Sequence, residues 1–531
     1  MVSLLPEPRP AVRAEHGVVA TSHPAAAEVG RDVLRAGGSA VDAAVATAAA
    51  LTVVEPTSNG IGGDAFALVW DGSRLHGYNG SGRAPAALTA QTLRSLGHDE
   101  VPLHGWPAVT VPGQVSAWAD LHERFGRLPW DRVLEPAVRL AAQGSPVPPV
   151  VAHYWERGLA AASHLEGSEF EAFVPTFAPT GRAPQVGETA VLADHARTLT
   201  RLAEHGADDF YSGEIGHAIA GFAARTGGFL TLEDLARHEG EWVEPVTTAY
   251  SGYAVAEIPP NGQGIAALVA LGILDGLDLG PDPADPAALH LQIEAMRLAF
   301  ADTFAYVGDP QHVAVPTSGL LDPGYLARRR SLIGERAAAV TPGRPPTSGT
   351  VLLCAADADG TMVSLIQSNF HGFGSGVVVP GWGIALQNRG SGFVLDEGHP
   401  NALRPGRRPF HTIIPGFLLR QSDDGRREPV GPFGVMGGHM QAQGHVQVVL
   451  QTVAGADPQQ SLDTPRWRVE DNVVMLEPGL EHAADELTRR GHTVRVGADG
   501  GFGRGQAIWR SPEGGWVAGS ETRCDGLAAG Y

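Results

Sequence analysis

An α+β fold, with helices covering stacked strands, is what this sequence predicts, and three observations carry that expectation. Residues Ala40 to about Thr52 form a helical run that is Ala- and Val-rich on nearly every side. Thr350–Ala356 and Met362–Ile366 are apolar runs of strand length without polar alternation, joined by the turn residues Asp357-Ala358-Asp359-Gly360. Helical spacing then dominates from Pro112 to about Arg225 and from Pro286 to Val307. A helix apolar all round belongs in a core, and a strand without alternation is covered on both faces.

Each element follows from local signals. Pro24 to Arg35 reads as a helix stopped by Gly37-Gly38. Ser39 is placed to cap the next helix, with Asp42 three residues on as its capping-box partner. Phe66–Trp70 reads as a strand, ended by the hairpin signal Asp71-Gly72. Glu335 to Gly349 is rich in Pro, Gly and Ala and poor in large apolar residues, so it is expected to be an exposed, mobile linker. No repeat of 20–50 residues is evident.

Composition narrows the function classes. The chain has 531 residues, 43% of them hydrophobic, with 38 basic against 58 acidic side chains and a net charge of −20. That balance offers no basic face for phosphates, so no nucleic-acid partner is expected. Met1–Gly17 lacks the apolar stretch of a secretory signal, and no apolar run reaches the ~18–20 residues that span a bilayer. A cytoplasmic protein with no membrane partner is expected. Cys354 and Cys524 cannot make a disulfide framework and read as ordinary core or near-surface thiols. No H-E-x-x-H or paired C-x-x-C occurs, so no metal site is expected, and no cofactor is called for. Gly60 to Ala65 is a weak dinucleotide fingerprint, because a helix precedes it where a strand should.

The chemistry centres on Thr350, where the linker enters the buried hairpin. A threonine hydroxyl is hardly ionised at neutral pH and needs an adjacent base. Its own α-amine, with a pKa near 8, can serve once the residue becomes a chain terminus. Cleavage of the Gly349–Thr350 bond would create that terminus, and Gly349 offers little hindrance to attack on its carbonyl. Locally, Thr350 also reads simply as the first residue of a strand.

Motifs along nearly the whole chain resemble the γ-glutamyltranspeptidase family. They include the opening helices from Gly17 to Pro56, the loop Asn59-Gly60-Ile61-Gly62-Gly63-Asp64, Glu294 to Pro310, Thr350 to Gly376, GIALQNRGSGF, RPFHTIIPG, Met436-Gly437-Gly438 and the closing Gly530-Tyr531. The resemblance implies a four-layer αββα sandwich of the N-terminal-nucleophile hydrolase type. It also implies a precursor that cuts itself into a large subunit, 1–349 with the linker 335–349, and a small subunit, 350–531. The two stay associated as one folded unit, with a dimer of such heterodimers as a further expectation. Thr350 is carried over as nucleophile and Ser368 as its hydroxyl partner. Gly437 and Gly438 take the place of the glycines whose N–H groups hold the oxyanion, a task that suits residues without a Cβ.

The substrate-recognition positions depart from the transpeptidase pattern. The arginine expected three residues ahead of Ala84-Pro85 is Ser81, with Arg83 two residues on. A serine pair becomes His411-Thr412, and the groups that face an α-ammonium fall on Phe370, Arg389 and Gly392. The pocket gains an arginine and loses an acid. With Asn369 beside Ser368, the candidate substrate contacts are Ser81, Arg83, Asn369, Arg389, His411 and Thr412. Arg83 and Arg389 also read as structural ion-pair residues, and His411 and His439 as satisfied structural histidines. The pattern resembles a divergent branch that includes oxamate amidohydrolases and lies near the acylases. A small anionic amide such as oxamate, or a glutaryl-like compound, is the expected substrate. Two alternatives stand beside it: a conventional γ-glutamyl hydrolase or transferase acting on glutathione, and an uncleaved, inactive relative that binds ligands.

Overall fold

The computed structural model describes residues 9–337, 349–422, 425–497 and 500–531. Pro24 opens the helix Pro24–Arg35, which ends at Ala36 before Gly37 at φ +91°. Ser39 then caps Ala40–Val54. Its Oγ accepts from the Asp42 N–H at 3.1 Å while Asp42 Oδ2 accepts from the Ser39 N–H at 2.8 Å, the reciprocal pair expected of a capping box. Every residue of this helix is buried.

Two antiparallel sheets dominate the molecule. The first runs Leu527–Gly530, Val18–Thr21, Gly349–Ala356, Met362–Phe370, Asp64–Trp70, Leu75–Asn79 and Glu241–Val243. The second runs Val12–Ala14, Trp516–Ser520, Arg504–Arg510, Arg427–Met436, Gly416–Gln421, Tyr253–Glu257 and Val246–Tyr250. Both draw strands from before and after residue 349.

Strand alternation sorts the apolar side chains into three cores. On Gly349–Ala356, Leu352, Cys354 and Ala356 join Phe417, Ile508 and Ala254 of the second sheet. Val351, Leu353 and Ala355 of the same strand pack instead against the helix Ala40–Val54 and its neighbours. Outside the second sheet, Val255, Leu418, Phe433 and Val435 pack on the helices Gly264–Leu274, Pro286–Tyr306 and Met440–Val453. This is α+β architecture in which both faces of each sheet are covered.

One sequence expectation is adjusted. The strand begun at Met362 continues past Ile366 to Phe370. Its polar residues are buried because they are satisfied: Gln367 donates to Ala48 O at 2.8 Å and Asn59 Oδ1 at 2.9 Å, and accepts from Trp118 Nε1 at 3.1 Å. Of the linker 335–349, residues 338–348 lie outside the described residues. Just before them, the Ala337 N–H donates to Arg490 O at 2.8 Å. Cys354 and Cys524 are free and buried. Among the described residues no helix is long and apolar enough to cross a membrane.

Candidate active site

Thr350 lies in a strand pair whose register shifts between Gly349 and Val351. Gly349 pairs with Phe370 and Val351 with Gln367, so the shift brings Thr350 beside Ser368. The Thr350 hydroxyl donates to Ser368 Oγ at 3.2 Å, and Ser368 Oγ accepts from the Phe370 N–H at 2.8 Å. Both hydroxyl residues are fully buried in the continuous chain.

The glycine pair sits between two elements that aim at this point. The strand Arg427–Met436 ends at Gly437, and the helix Met440–Val453 starts just after Gly438. Gly437 has φ +123° and Gly438 φ +62°, conformations that glycine adopts without strain. Neither N–H donates to a backbone carbonyl among the described residues. The carbonyl of Gly438 is instead held by Gln263 Nε2 at 2.8 Å, and the same amide holds Thr412 O at 2.6 Å. His439 Nδ1 donates to Gln263 Oε1 at 2.8 Å. The helix returns Gln441 to Thr350, with Nε2 at 3.5 Å from Oγ1. Thr350, Ser368 and the helix that follows the glycine pair therefore meet in one place.

Behind them lies a buried charged group that the sequence reading left unpaired. Asp64, at the start of its strand and across from Ser368, accepts from Gly82 N at 3.0 Å, Gly113 N at 3.1 Å, Gln387 Nε2 at 2.9 Å and His411 Nε2 at 3.1 Å. Four donors, with His411 and Arg389 nearby, outweigh the burial cost and hold its carboxyl below the usual range. His411 Nδ1 accepts from the Ile413 N–H at 3.3 Å, which leaves the proton on Nε2, facing Asp64. Burial pushes His411 down to about 4.

Arg389 is fully buried. Its Nη1 donates to Thr412 Oγ1 at 2.8 Å, and its guanidinium lies 4.2 Å from the centroid of Phe370. Nε and Nη2 have no partner among the described residues, and burial pushes the group down to about 9. The carboxamide of Asn369 is likewise buried without a partner, lodged against Gly60 and Gly63.

Arg83 is held elsewhere. It is half-buried, pairs with Glu241 at 3.2 Å and donates to Gln311 Oε1 at 3.0 Å. Arg408 joins the same Glu241 at 2.6 Å. Ser81 is buried, donating to Asn79 Oδ1 at 2.7 Å, and its carbonyl accepts from Arg408 Nε at 2.9 Å.

A cavity of about 540 Å³ opens at Gly437 and His439. Leu165, Phe173 and Phe373 form an apolar wall, while Tyr154, Arg157 and His371 supply polar groups.

The comparisons with known proteins agree along the chain. The family model described as Gamma-glutamyltranspeptidase matches residues 26–531. The glutathione hydrolase-like YwrD proenzyme of Bacillus subtilis (strain 168) is 34% identical over 533 residues, covering 97% of this chain and 98% of that protein. The oxamate amidohydrolase proenzyme of Klebsiella pneumoniae subsp. pneumoniae is 35% identical over 534 residues, with the same coverage of 97% and 98%. The crystal structure of cephalosporin acylase from Bacillus halodurans is similar at a TM-score of 0.95 and 50% identity, over 99% of this chain and 98% of that one. That of Helicobacter pylori gamma-glutamyltranspeptidase reaches 0.56 at 30% identity, over 60% of this chain and 92% of that one. With the family model matching all but the first 25 residues and relatives above 30% identity end to end, the chain belongs to the gamma-glutamyltranspeptidase family, as an enzyme of the N-terminal-nucleophile hydrolase type.

Proposed function

We propose that this chain is a proenzyme that cleaves itself between Gly349 and Thr350, and that the mature enzyme hydrolyses amides whose acyl group carries a carboxylate and no ammonium. The observation that carries the reading is the buried hydroxyl pair of Thr350 and Ser368, immediately after a glycine peptide bond and touched by Gln441 from the helix that follows Gly437 and Gly438, whose N–H groups donate to no backbone carbonyl among the described residues. The large fragment is then 1–349 and the small one 350–531. The three apolar cores support a four-layer helix–sheet–sheet–helix sandwich.

In self-cleavage, Thr350 Oγ attacks the Gly349 carbonyl and the Thr350 nitrogen leaves as an amine, taking up the proton that Oγ gave up. Water then cleaves the resulting ester. In turnover, the freed α-amine takes the Thr350 hydroxyl proton as Oγ adds to the substrate carbonyl. The carbonyl electron pair moves onto the oxygen, where the N–H groups of Gly437 and Gly438 receive it. Collapse breaks the C–N bond, and the leaving amine takes the proton back. Water repeats the sequence on the acyl-enzyme. Ser368 fixes the direction of the Thr350 hydroxyl.

Arg389 supports the anionic specificity, because its unpaired N–H arms match a carboxylate and repel an ammonium. Ser81, Asn369, His411 and Thr412 frame this side. Arg83, committed to Glu241, contributes field and no direct contact. Oxamate fills little of a 540 Å³ cavity with an apolar wall. The cavity reaches the site at Gly437 and His439 and leaves room there for an acyl group longer than that of oxamate, such as glutaryl, and the 50% identical cephalosporin acylase supports an acylase-type activity. The 35% identical oxamate amidohydrolase supports oxamate as the second reading.

Intact mass of the purified protein tests the first half: a fragment of 182 residues (531 − 349) beginning at Thr350 is expected, and a single uncut chain refutes it. Comparing kcat/KM on glutaryl p-nitroanilide, oxamate and γ-glutamyl p-nitroanilide tests the second. A γ-glutamyl compound ahead by about tenfold restores the conventional γ-glutamyl activity.

A further inference from the structure

We propose that Gln441 is a further catalytic residue, whose side-chain amide donates a hydrogen bond to Thr350 Oγ and stabilises the charge that this atom carries as it enters and leaves the acyl bond. The inference rests on the reading of Thr350 as nucleophile.

Gln441 is fully buried, in the first turn of the helix that follows the glycine pair. Its amide cannot be turned over. The Ile414 N–H requires an acceptor and finds Gln441 Oε1 at 3.0 Å, which puts the NH2 group on the opposite side. There, Thr350 Oγ1 at 3.5 Å is its only acceptor among the described residues. A buried amide donor without an acceptor is costly, so this contact is what satisfies the group.

The arrangement also directs the nucleophile. A hydroxyl has one proton and two lone pairs. In the uncut chain the proton points to Ser368 Oγ and one lone pair faces Gln441, which leaves the other free to attack; once the α-amine is freed, the hydroxyl turns its proton to it and the Gln441 contact remains. The 3.5 Å bond is long with a neutral hydroxyl. It tightens when Oγ becomes anionic, as catalytic hydrogen bonds do between ground and transition state. Charge develops on Oγ during acylation and again when Oγ departs from the acyl-enzyme, so one donor serves both half-reactions. Gln441 keeps its protons throughout. The Oγ proton goes to the α-amine in turnover and to the departing Thr350 nitrogen in self-cleavage.

The test uses the full-length protein with three substitutions. Gln441→Glu keeps the shape and the acceptor for Ile414 and loses the donor once ionised, so its rates are read at rising pH, above the range to which burial lifts a carboxyl. Gln441→Met loses both, and Thr350→Ala removes the nucleophile. Self-cleavage is followed by intact mass, turnover with glutaryl p-nitroanilide, and folding by thermal unfolding. Both Gln441 variants should fold, cleave themselves more slowly and lose roughly 10- to 100-fold in kcat with little change in KM, at or below the ~10²–10³ of a full oxyanion donor. Wild-type rates in Gln441→Glu, with Thr350→Ala uncut, overturn the role of Gln441 alone. Cleavage of Thr350→Ala at the same bond overturns the nucleophile assignment beneath it. Should Gln441→Met fail to fold, Gln441→Glu decides the question.

Discussion

Replacing Arg389 by methionine separates an arginine that waits for a substrate from one that holds the fold together. Removing the guanidinium loses the bond to Thr412, worth about 1.5–3 kcal/mol for a charged donor. It also loses the contact over Phe370, worth about 1–2 kcal/mol in a dry site. Against this, two buried donors, Nε and Nη2, no longer go unpaired, which returns about 1–3 kcal/mol each. The two sums nearly cancel, the lost attraction to Asp64 is limited because four donors still hold that carboxylate, and methionine retains much of the aliphatic stem. Stability should therefore shift by less than about 2 kcal/mol, whereas breaking a buried ion pair costs about 3–5 kcal/mol. Substrate binding responds differently. Leaving a desolvated carboxylate without its partner costs about 2–5 kcal/mol, which at 1.4 kcal/mol per decade raises KM roughly 30- to 4000-fold. Because the carboxylate is remote from the scissile bond, kcat should hold. The assay is Michaelis kinetics on glutaryl p-nitroanilide together with differential scanning calorimetry. A Tm lowered by about 3 °C or more with KM unchanged would make Arg389 a structural residue, and the anionic-substrate reading would lose its main support.

Three further outcomes follow from the same geometry. Ser368→Ala should slow turnover by roughly 10²-fold while Ser368→Thr keeps most of it, measured as kcat on the same anilide; equal loss in both would point to packing. Asp64→Asn places an NH2 group among four donors and should cost about 3–5 kcal/mol in urea unfolding, with an unchanged midpoint refuting the idea that its charge organises the loops. The third is acid lability: burial holds His23, His195 and His411 at about 4 in the folded state, while the unfolded chain protonates them near 6.5. The unfolded state thus binds more protons between those limits, and stability falls as pH drops from 6.5 towards 4, by up to about 1.4 kcal/mol per histidine per pH unit. The lowered carboxyl of Asp64 adds a loss only below 3.8. A Tm constant from pH 7 to 4.5 would exclude this.

Elements set by local chemistry were legible in the sequence. The Ser39–Asp42 cap, the buried helix behind it and the hairpin that carries Thr350 all follow from side chains a few residues apart. The pairing of Thr350 with Ser368 is what the family resemblance implies, and the hairpin between them brings the two hydroxyls together. Asp64 with His411, 347 residues apart, and Gln441 with Thr350, 91 apart, could not be paired from sequence. Such contacts depend on how the two sheets and the turns at their ends come together, and no periodicity encodes that. Arg83 shows the same limit. Its place beside Ala84-Pro85 made it a candidate for the substrate, but Glu241, brought alongside by the edge strand Glu241–Val243, takes its charge.

The mixed origin of the two sheets bears on what a cut chain can do. Gly349–Ala356 is hydrogen-bonded to Val18–Thr21 on one edge and to Met362–Phe370 on the other. Gly416–Gln421 is bonded likewise to Tyr253–Glu257 and Arg427–Met436. Hydrolysis after Gly349 therefore changes the covalent connectivity without creating two separable bodies. Pulling the pieces apart would open both sheets along their interior strands and expose the core between them. The nicked molecule should melt in one calorimetric transition, and separately synthesised halves would each lack the neighbouring strands on which to fold. Cleavage after folding keeps the assembly step intramolecular, which is the kinetic advantage of making two chains from one.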